Sequence, residues 1–357
     1  MDVIAMLKDA VSTGASDLFI VAGMPVSCKR FGAICHIDDK AMRPDDTYEL
    51  VGALYALAKR DITRLTEHGD DDFSFSLPGV SRFRASAYKQ RGSLAAVVRV
   101  VHFQLPDPQE LQIPETVLSL AHLTKGLVLV TGPGGSGKST TLACIIDRIN
   151  SSRSGHIITL EDPIEYMHPH KKCIVSQREL ASDTESYVAA LRAALRQSPD
   201  VILLGEMRDS ETISTAMTAA ETGHLVLSTL HTVGAANTID RVIDAFPPGQ
   251  QAQVRIQLSM LLQAVVSQQL VPSKDGGEVP ALEIMLVNSA IRNMIRESKI
   301  HQIDTVIFSS AAEGMVSMDT SLADLCQRGL ITLREALLYS QNPDFLEKKL
   351  AAAGITQ

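Results

Sequence analysis

Residues Gly132-Pro133-Gly134-Gly135-Ser136-Gly137-Lys138-Ser139-Thr140 follow the spacing G-x-x-x-x-G-K-S, which is chemistry for holding nucleotide phosphates. Glycines let a loop wrap an anion with its backbone N–H groups turned inward. An apolar, strand-like run from Gly126 to Val130 precedes the loop. A helix-like run from Lys138 to Asn150 follows it, with Leu142, Ile145, Ile146 and Ile149 on one face. A helix beginning there adds partial positive charge at the same point. On this reading Lys138 reaches the β- and γ-phosphates of ATP, and the Ser139 hydroxyl holds a bridging Mg²⁺. Gly132, Gly134, Gly135, Ser136, Gly137 and Thr140 form the rest of the cradle.

Three more polar clusters fall at the ends of candidate strands, where an open α/β sheet places its ligands. The first is Glu161-Asp162-Pro163-Ile164-Glu165. An ATPase needs a carboxylate to orient or deprotonate the attacking water, and Glu165 is the first choice, Glu161 the second. The alternative is an exposed acidic turn. In the second cluster the apolar run Val201 to Leu204 leads through Gly205 to Glu206, like a Walker B element whose carboxylate acts on Mg²⁺, although the usual aspartate is absent. Arg208 and Asp209 read as residues that cap and solvate the next helix. The third cluster carries His224 and His231, whose separation does not suit metal ligation from one helix. They are either structural or sensors of the γ-phosphate. Arg82 and Arg84 lie two apart, so they share one face of a strand. With Arg99 on the adjacent strand, they are solvated charge or a group that neutralises the transferring phosphoryl.

The elements that must position these residues fall into two patterns. Residues 1–104 read as an antiparallel sheet with helices to one side: strands at Asp17 to Val21, a hairpin from Cys28 to Ile37 turning near Gly32, a helix from Pro44 to Arg60, then three strands between Asp72 and Val101. Leu105-Pro106-Asp107-Pro108 opens a linker over 105–119. Residues 120–287 alternate strands with helices, which implies a parallel sheet. A long amphipathic helix is expected from Gln250 to Gln268, then a hairpin at Lys274 to Gly277, and four short helices over 288–357. The net charge of −8 in 357 residues argues against a nucleic-acid partner. Five scattered cysteines without a C-x-x-C pair favour free thiols in a cytoplasmic protein. No apolar run approaches the roughly 18 residues needed to cross a bilayer, and no signal-peptide pattern opens the chain.

With those residues in view, the chain resembles the secretion-type ATPases of the type IV pilus motor family. The resemblance runs through Gly14-Ala15-Ser16-Asp17-Leu18, Arg82-Phe83-Arg84, the phosphate loop, Glu161 to Glu165, Gly205 to Asp209, Glu221 to Leu225 and Thr229 to Thr232. Ala290-Ile291-Arg292-Asn293-Met294-Ile295-Arg296-Glu297 is similar to a signature of the retraction motors. The family implies an α/β chain with a PAS-like α+β N-terminal domain, a RecA-like P-loop ATPase domain and a helical tail, in a homohexamer at the inner face of the cytoplasmic membrane. It implies that Glu165 is the catalytic acid, Glu206 the Walker B acid, and His224 and His231 a histidine box. Arg82, Arg84 and Arg99 would then close on the phosphates. The implied activity is ATP-driven pilus retraction through an inner-membrane platform protein. An accessory retraction ATPase that works with a paralogue, or an assembly or type II secretion ATPase, are the alternatives. Phe19 stands where many relatives have histidine, Gly134 replaces a common threonine, and Glu335 to Tyr339 is more similar to the accessory motors.

Overall fold

The structure, a computed structural model, describes residues 2–30, 33–101 and 105–355. The chain divides into two compact units: Met1–Gln104 with Ile164–Met167, and Leu105–Pro163 with His168–Gln357.

The first unit contains α1 (Val3–Ser12), β1 (Asp17–Ile20), β2 (Ser27–Arg30), β3 (Ala33–His36), α2 (Pro44–Ala58), α3 (Thr63–His68), β4 (Asp70–Leu77), β5 (Ser81–Gln90) and β6 (Ser93–Val101). The expected turn at Gly32 lies outside the described residues. The sheet runs β3-β2-β1-β6-β5-β4, and every pairing is antiparallel. That is the PAS-like order, in which the first strand sits beside the last. Alternation along β5 turns Phe83, Ala85 and Ala87 into the core shared with Leu50, Val51 and Leu54 of α2. Arg82 and Arg84 therefore point the other way. A buried Asp71 ties the helices to the sheet edge: Tyr55 donates to it at 3.0 Å, and Arg60 meets both its oxygens at 2.9 and 2.8 Å.

The second unit begins with α4 (Glu115–Leu118). It continues through β7 (Gly126–Thr131), α5 (Lys138–Ser152), β8 (Gly155–Glu161), β9 (Cys173–Glu179), α6 (Tyr187–Ala194), β10 (Val201–Leu204), α7 (Ser210–Glu221), β11 (Leu225–Leu230), α8 (Ala235–Asp244), α9 (Pro248–Leu261), β12 (Leu262–Pro272) and β13 (Glu278–Leu286). The helices α10 (Ser289–Arg296), α11 (Ile303–Ser309), α12 (Met318–Gln327), α13 (Leu333–Tyr339) and α14 (Pro343–Ala352) complete it. The sheet order is β13-β12-β7-β11-β10-β8-β9, parallel except for the β12–β13 pair. Its inner strands β7, β10 and β11 are buried at every position because helices cover both faces. Leu127 and Leu129 of β7 face one core, with residues of α6, α7, α8 and α9; Val128 and Val130 face another, with Leu142, Ile145, Ile146 and Ile149 of α5.

Two expectations are corrected here. The helix expected from Gln250 to Gln268 ends at Leu261, and the chain passes directly into β12. Leu262, Val265 and Val266 are fully buried between β7 and β13, so this central strand lacks the alternation that separates strand from helix. Among the described residues the tail has five α-helices rather than four, the last opened by Pro343 in its first turn.

The tail is moored to the sheet through Glu283 of β13, which is 2 % exposed. Its carboxylate accepts from the backbone N–H of Ala235 at 2.6 Å, from that of Met318, and from the Gln341 side chain. Ala235 and Met318 are the first residues of α8 and α12, so the carboxylate joins two helix N-termini. Burial still raises its pKa above the ordinary range.

Candidate active site

The phosphate loop leaves the carboxyl end of β7 and enters α5, as the spacing requires. Gly132, Gly135 and Gly137 have φ of 142°, 77° and 82°, in the region that favours glycine. At Gly132 a Cβ would lie 2.1 Å from the Gln268 carbonyl oxygen, whereas at Gly134 it would meet open space. The Ser136 hydroxyl is buried without a hydrogen-bond partner among the described residues. Lys138 is 8 % exposed, and its Nζ donates to the carbonyls of Gly132 at 2.9 Å and Pro133 at 2.7 Å. An orphan hydroxyl, a helix N-terminus and a curled lysine around a glycine cradle suit a polyphosphate. Ser139 and Thr140, next in α5, are half-buried at its mouth.

Glu206 follows β10 and is only 12 % exposed in its side chain. Arg208 is ion-paired with one of its oxygens, and His231 Nε2 lies 3.3 Å from the other. The fold thus joins two clusters that are 25 residues apart in sequence. Asp209 caps α7 by accepting from Thr212 N–H at 2.8 Å. Arg208 stays exposed and also turns back to Glu206, and their hydrogen bond holds the guanidinium pKa above the ordinary value. Tyr187 of α6 was not singled out in the sequence. Its hydroxyl stands 2.8 Å from where a Cβ on Gly205 would be. Burial, then the charges of Asp162 and Glu206, raises its pKa.

Glu161, at the end of β8, accepts from Thr159 Oγ1 at 2.6 Å and from Gln177 Nε2 at 3.3 Å. Glu165 is exposed and belongs to the Ile164–Met167 segment of the first unit. His224 is not brought to the phosphate loop. It precedes β11, its carbonyl accepts from Gly126 N–H, and its Nδ1 lies 2.9 Å from the Ala219 carbonyl. Parallel pairing of β11 with β7 puts His224 at the opposite end of the sheet from Gly132. Strand length separates the two by roughly 20 Å.

In the first unit Arg84 is directly opposite Arg99, so Arg82, Arg84 and Arg99 share one sheet face. Arg82 Nη1 is 3.5 Å from Ser76 Oγ. Arg99 Nε donates to Asp17 Oδ1 at 2.9 Å, and Ser16 Oγ donates to Asp17 Oδ2 at 2.8 Å. The Ser16-Asp17 pair of the N-terminal motif therefore orients one of the three arginines.

A PAS-like unit, a mostly parallel sheet flanked by helices and a complete phosphate loop define a RecA-like ATPase of the secretion class. The chain matches the family described as Type II/IV secretion system protein over residues 1–317, and it belongs to that family. It is 44 % identical over 345 residues to the type IV pilus retraction ATPase PilT of Pseudomonas aeruginosa, covering 96 % of this chain and 99 % of that one. It is 40 % identical over 343 residues to the type IV pilus ATPase PilU of the same organism, covering 96 % and 89 %. A solved structure of the pilus retraction motor PilT with bound ADP superimposes at a TM-score of 0.89, with 48 % identity and coverage of 98 % and 99 %. The chain is a P-loop ATP hydrolase.

Proposed function

We propose that this ATPase is a Mg²⁺-dependent homohexameric motor that drives type IV pilus retraction from the inner face of the cytoplasmic membrane. The observation that carries this reading is end-to-end similarity, in sequence and structure, to a retraction motor. The retraction-type helix α10 supports it. Among the described residues no helix is long and apolar enough to cross a membrane. An inner-membrane platform protein, the partner of the pilus motors that the chain resembles, is the proposed partner that passes force to the fibre.

The proposed domains are 1–104 (PAS-like), 105–119 (linker), 120–287 (ATPase) and 288–357 (C-terminal helices). ATP with Mg²⁺ supplies the scissile phosphoanhydride and the neutralisation of its charge. Gly132 to Gly137 give N–H donors and Lys138 gives positive charge. Ser139 and Glu206 are the metal-side groups, Arg208 and His231 holding the carboxylate in place. Glu165 is the proposed acceptor of the water proton, because its carboxylate is exposed while Glu161 is engaged by Thr159 and Gln177. Arg82, Arg84 and Arg99 neutralise charge on the phosphoryl group as it leaves. His231 reads nucleotide state through Glu206, and His224, remote from its own loop, serves a neighbouring subunit.

The test is a count of surface pili in cells lacking the gene, restored with wild type or Lys138→Ala. Abundant non-retracting pili, corrected only by wild type, are expected. Bald cells would assign the motor to assembly. The similarity to PilU favours a second reading, an accessory motor. Retraction that survives Lys138→Ala but fails when a sister ATPase loses its loop lysine would select it.

A further inference from the structure

β12 pairs with β7 so that Ser267 lies beside Thr131, which brings Gln268 level with Gly132, the first glycine of the phosphate loop. Gln268 is 4 % exposed. Its Oε1 accepts from Thr141 Oγ1 at 2.6 Å, and Thr141, 1 % exposed, sits in the first turn of α5. Its Nε2 faces Gly137, where an added Cβ would come within 2.8 Å. Its backbone carbonyl lies beneath Gly132. One residue thus touches the loop at its first glycine, its last glycine and the helix turn that follows.

The preceding residue reaches the other nucleotide loop. Ser267 Oγ accepts from Gly234 N–H at 2.9 Å, in the segment that follows His231 and Thr232. Ser267 pairs across the sheet with Glu283, which accepts from the next N–H, that of Ala235. Two adjacent residues of β12 therefore hold the phosphate loop and the loop after β11.

We propose that Gln268 is a positioning residue for ATP: its buried amide fixes the glycine loop and the first turn of α5 in phosphate-binding geometry, while Ser267 sets the spacing to the His231 loop. The amide acts through Gly137 and Thr141 without touching the nucleotide. A neutral group is required there. A carboxylate of the same shape would still accept from Thr141 but would put negative charge under a cradle for phosphates and remove the N–H facing Gly137. The proposal rests on ATP hydrolysis at this loop and not on pilus retraction, so either can fail without the other.

The experiment compares KM for ATP, kcat, ADP affinity and melting temperature in full-length variants. Gln268→Glu and Thr141→Val are each expected to raise KM and weaken ADP about tenfold, the scale of one buried hydrogen bond left unmet, with kcat changed less. Thr141→Ser keeps the hydroxyl and should restore wild-type values. The pair Gln268→Leu with Thr141→Val replaces both partners by apolar groups, so the melting temperature should recover while KM stays raised. Unchanged KM and ADP affinity in Thr141→Val, with only the melting temperature lowered, would make the contact mere packing and overturn the proposal, whatever becomes of Gln268→Glu.

Discussion

At the scale of single residues, the phosphate loop separates glycines that geometry demands from one it does not. Gly132→Ala drives a methyl into the Gln268 carbonyl, and binding of a fluorescent ADP analogue is expected to vanish. Gly134→Thr enters open space and should leave turnover within about twofold, since uncrowded surface changes are nearly neutral. An inactive Gly134→Thr would show that the loop constrains this position in a way the backbone does not reveal. His168 gives a pH signature. Burial, reinforced by Lys171 and opposed by Asp147, lowers its pKa from 6.5 to about 4. The unfolded chain takes up that proton as pH falls through 6.5, and the folded chain does so only near 4. The contribution of His168 is thus complete above pH 6.5 and declines between 6.5 and about 4, by up to about 3 kcal/mol. Urea unfolding of wild type against His168→Leu should show the wild type losing stability relative to the variant across that window. Parallel curves would mean that His168 takes up its proton at the same pH in the folded and unfolded chain. The loop and Glu206 could be read from the sequence because adjacent residues carry the pattern. The roles of Arg208 and Gln268 could not, since each depends on a partner supplied by another element.

Among the elements, the strands β7, β8, β10 and β11 were legible as short apolar runs, and α5 by its buried face. β9 and α1 were not picked out. β12 was concealed by continuity: no glycine, proline or turn separates it from α9, and burial on both faces gives it a helix-like run of apolar side chains. The branched pair Val265-Val266 was the signal available. α9 ends against a side chain of α10. Arg292 Nη1 donates to the Ser259 and Met260 carbonyls at 2.8 and 2.9 Å, and Nη2 lies 3.3 Å from Gln263 Oε1. A guanidinium on the last carbonyls of a helix complements its negative end. Arg292→Ala should cost about 1–2 kcal/mol in denaturant unfolding, on the scale of charge-assisted bonds at a helix terminus, and lysine should restore only part of it. A neutral alanine variant would show that α10 is held by Ile291 and Ile295 alone.

For the whole molecule, the proposed ring is open to a direct measurement. Light scattering of the full chain with ADP is expected to give six times the 38.6 kDa chain mass, and a species that stays monomeric over a wide concentration range would remove the hexamer. The cysteines are compatible with such an assembly in reducing conditions: all five are free, and burial, then Asp147 and Asp107, pushes the Cys144 thiol up to about 11. The carboxylate of Glu283 bears on how the tail is to be dissected. Cutting the chain before Ser317 would remove the Met318 N–H and the Gln341 amide and strand a buried charge, so a shortened protein would report damage to the sheet and not the duty of the missing helices. Deletion genetics would mislead here. Phe308 and Phe345 pack edge-on against each other beside Glu283 and Gln341, so a point change at the exposed Leu338 is the cleaner way to ask what the tail touches.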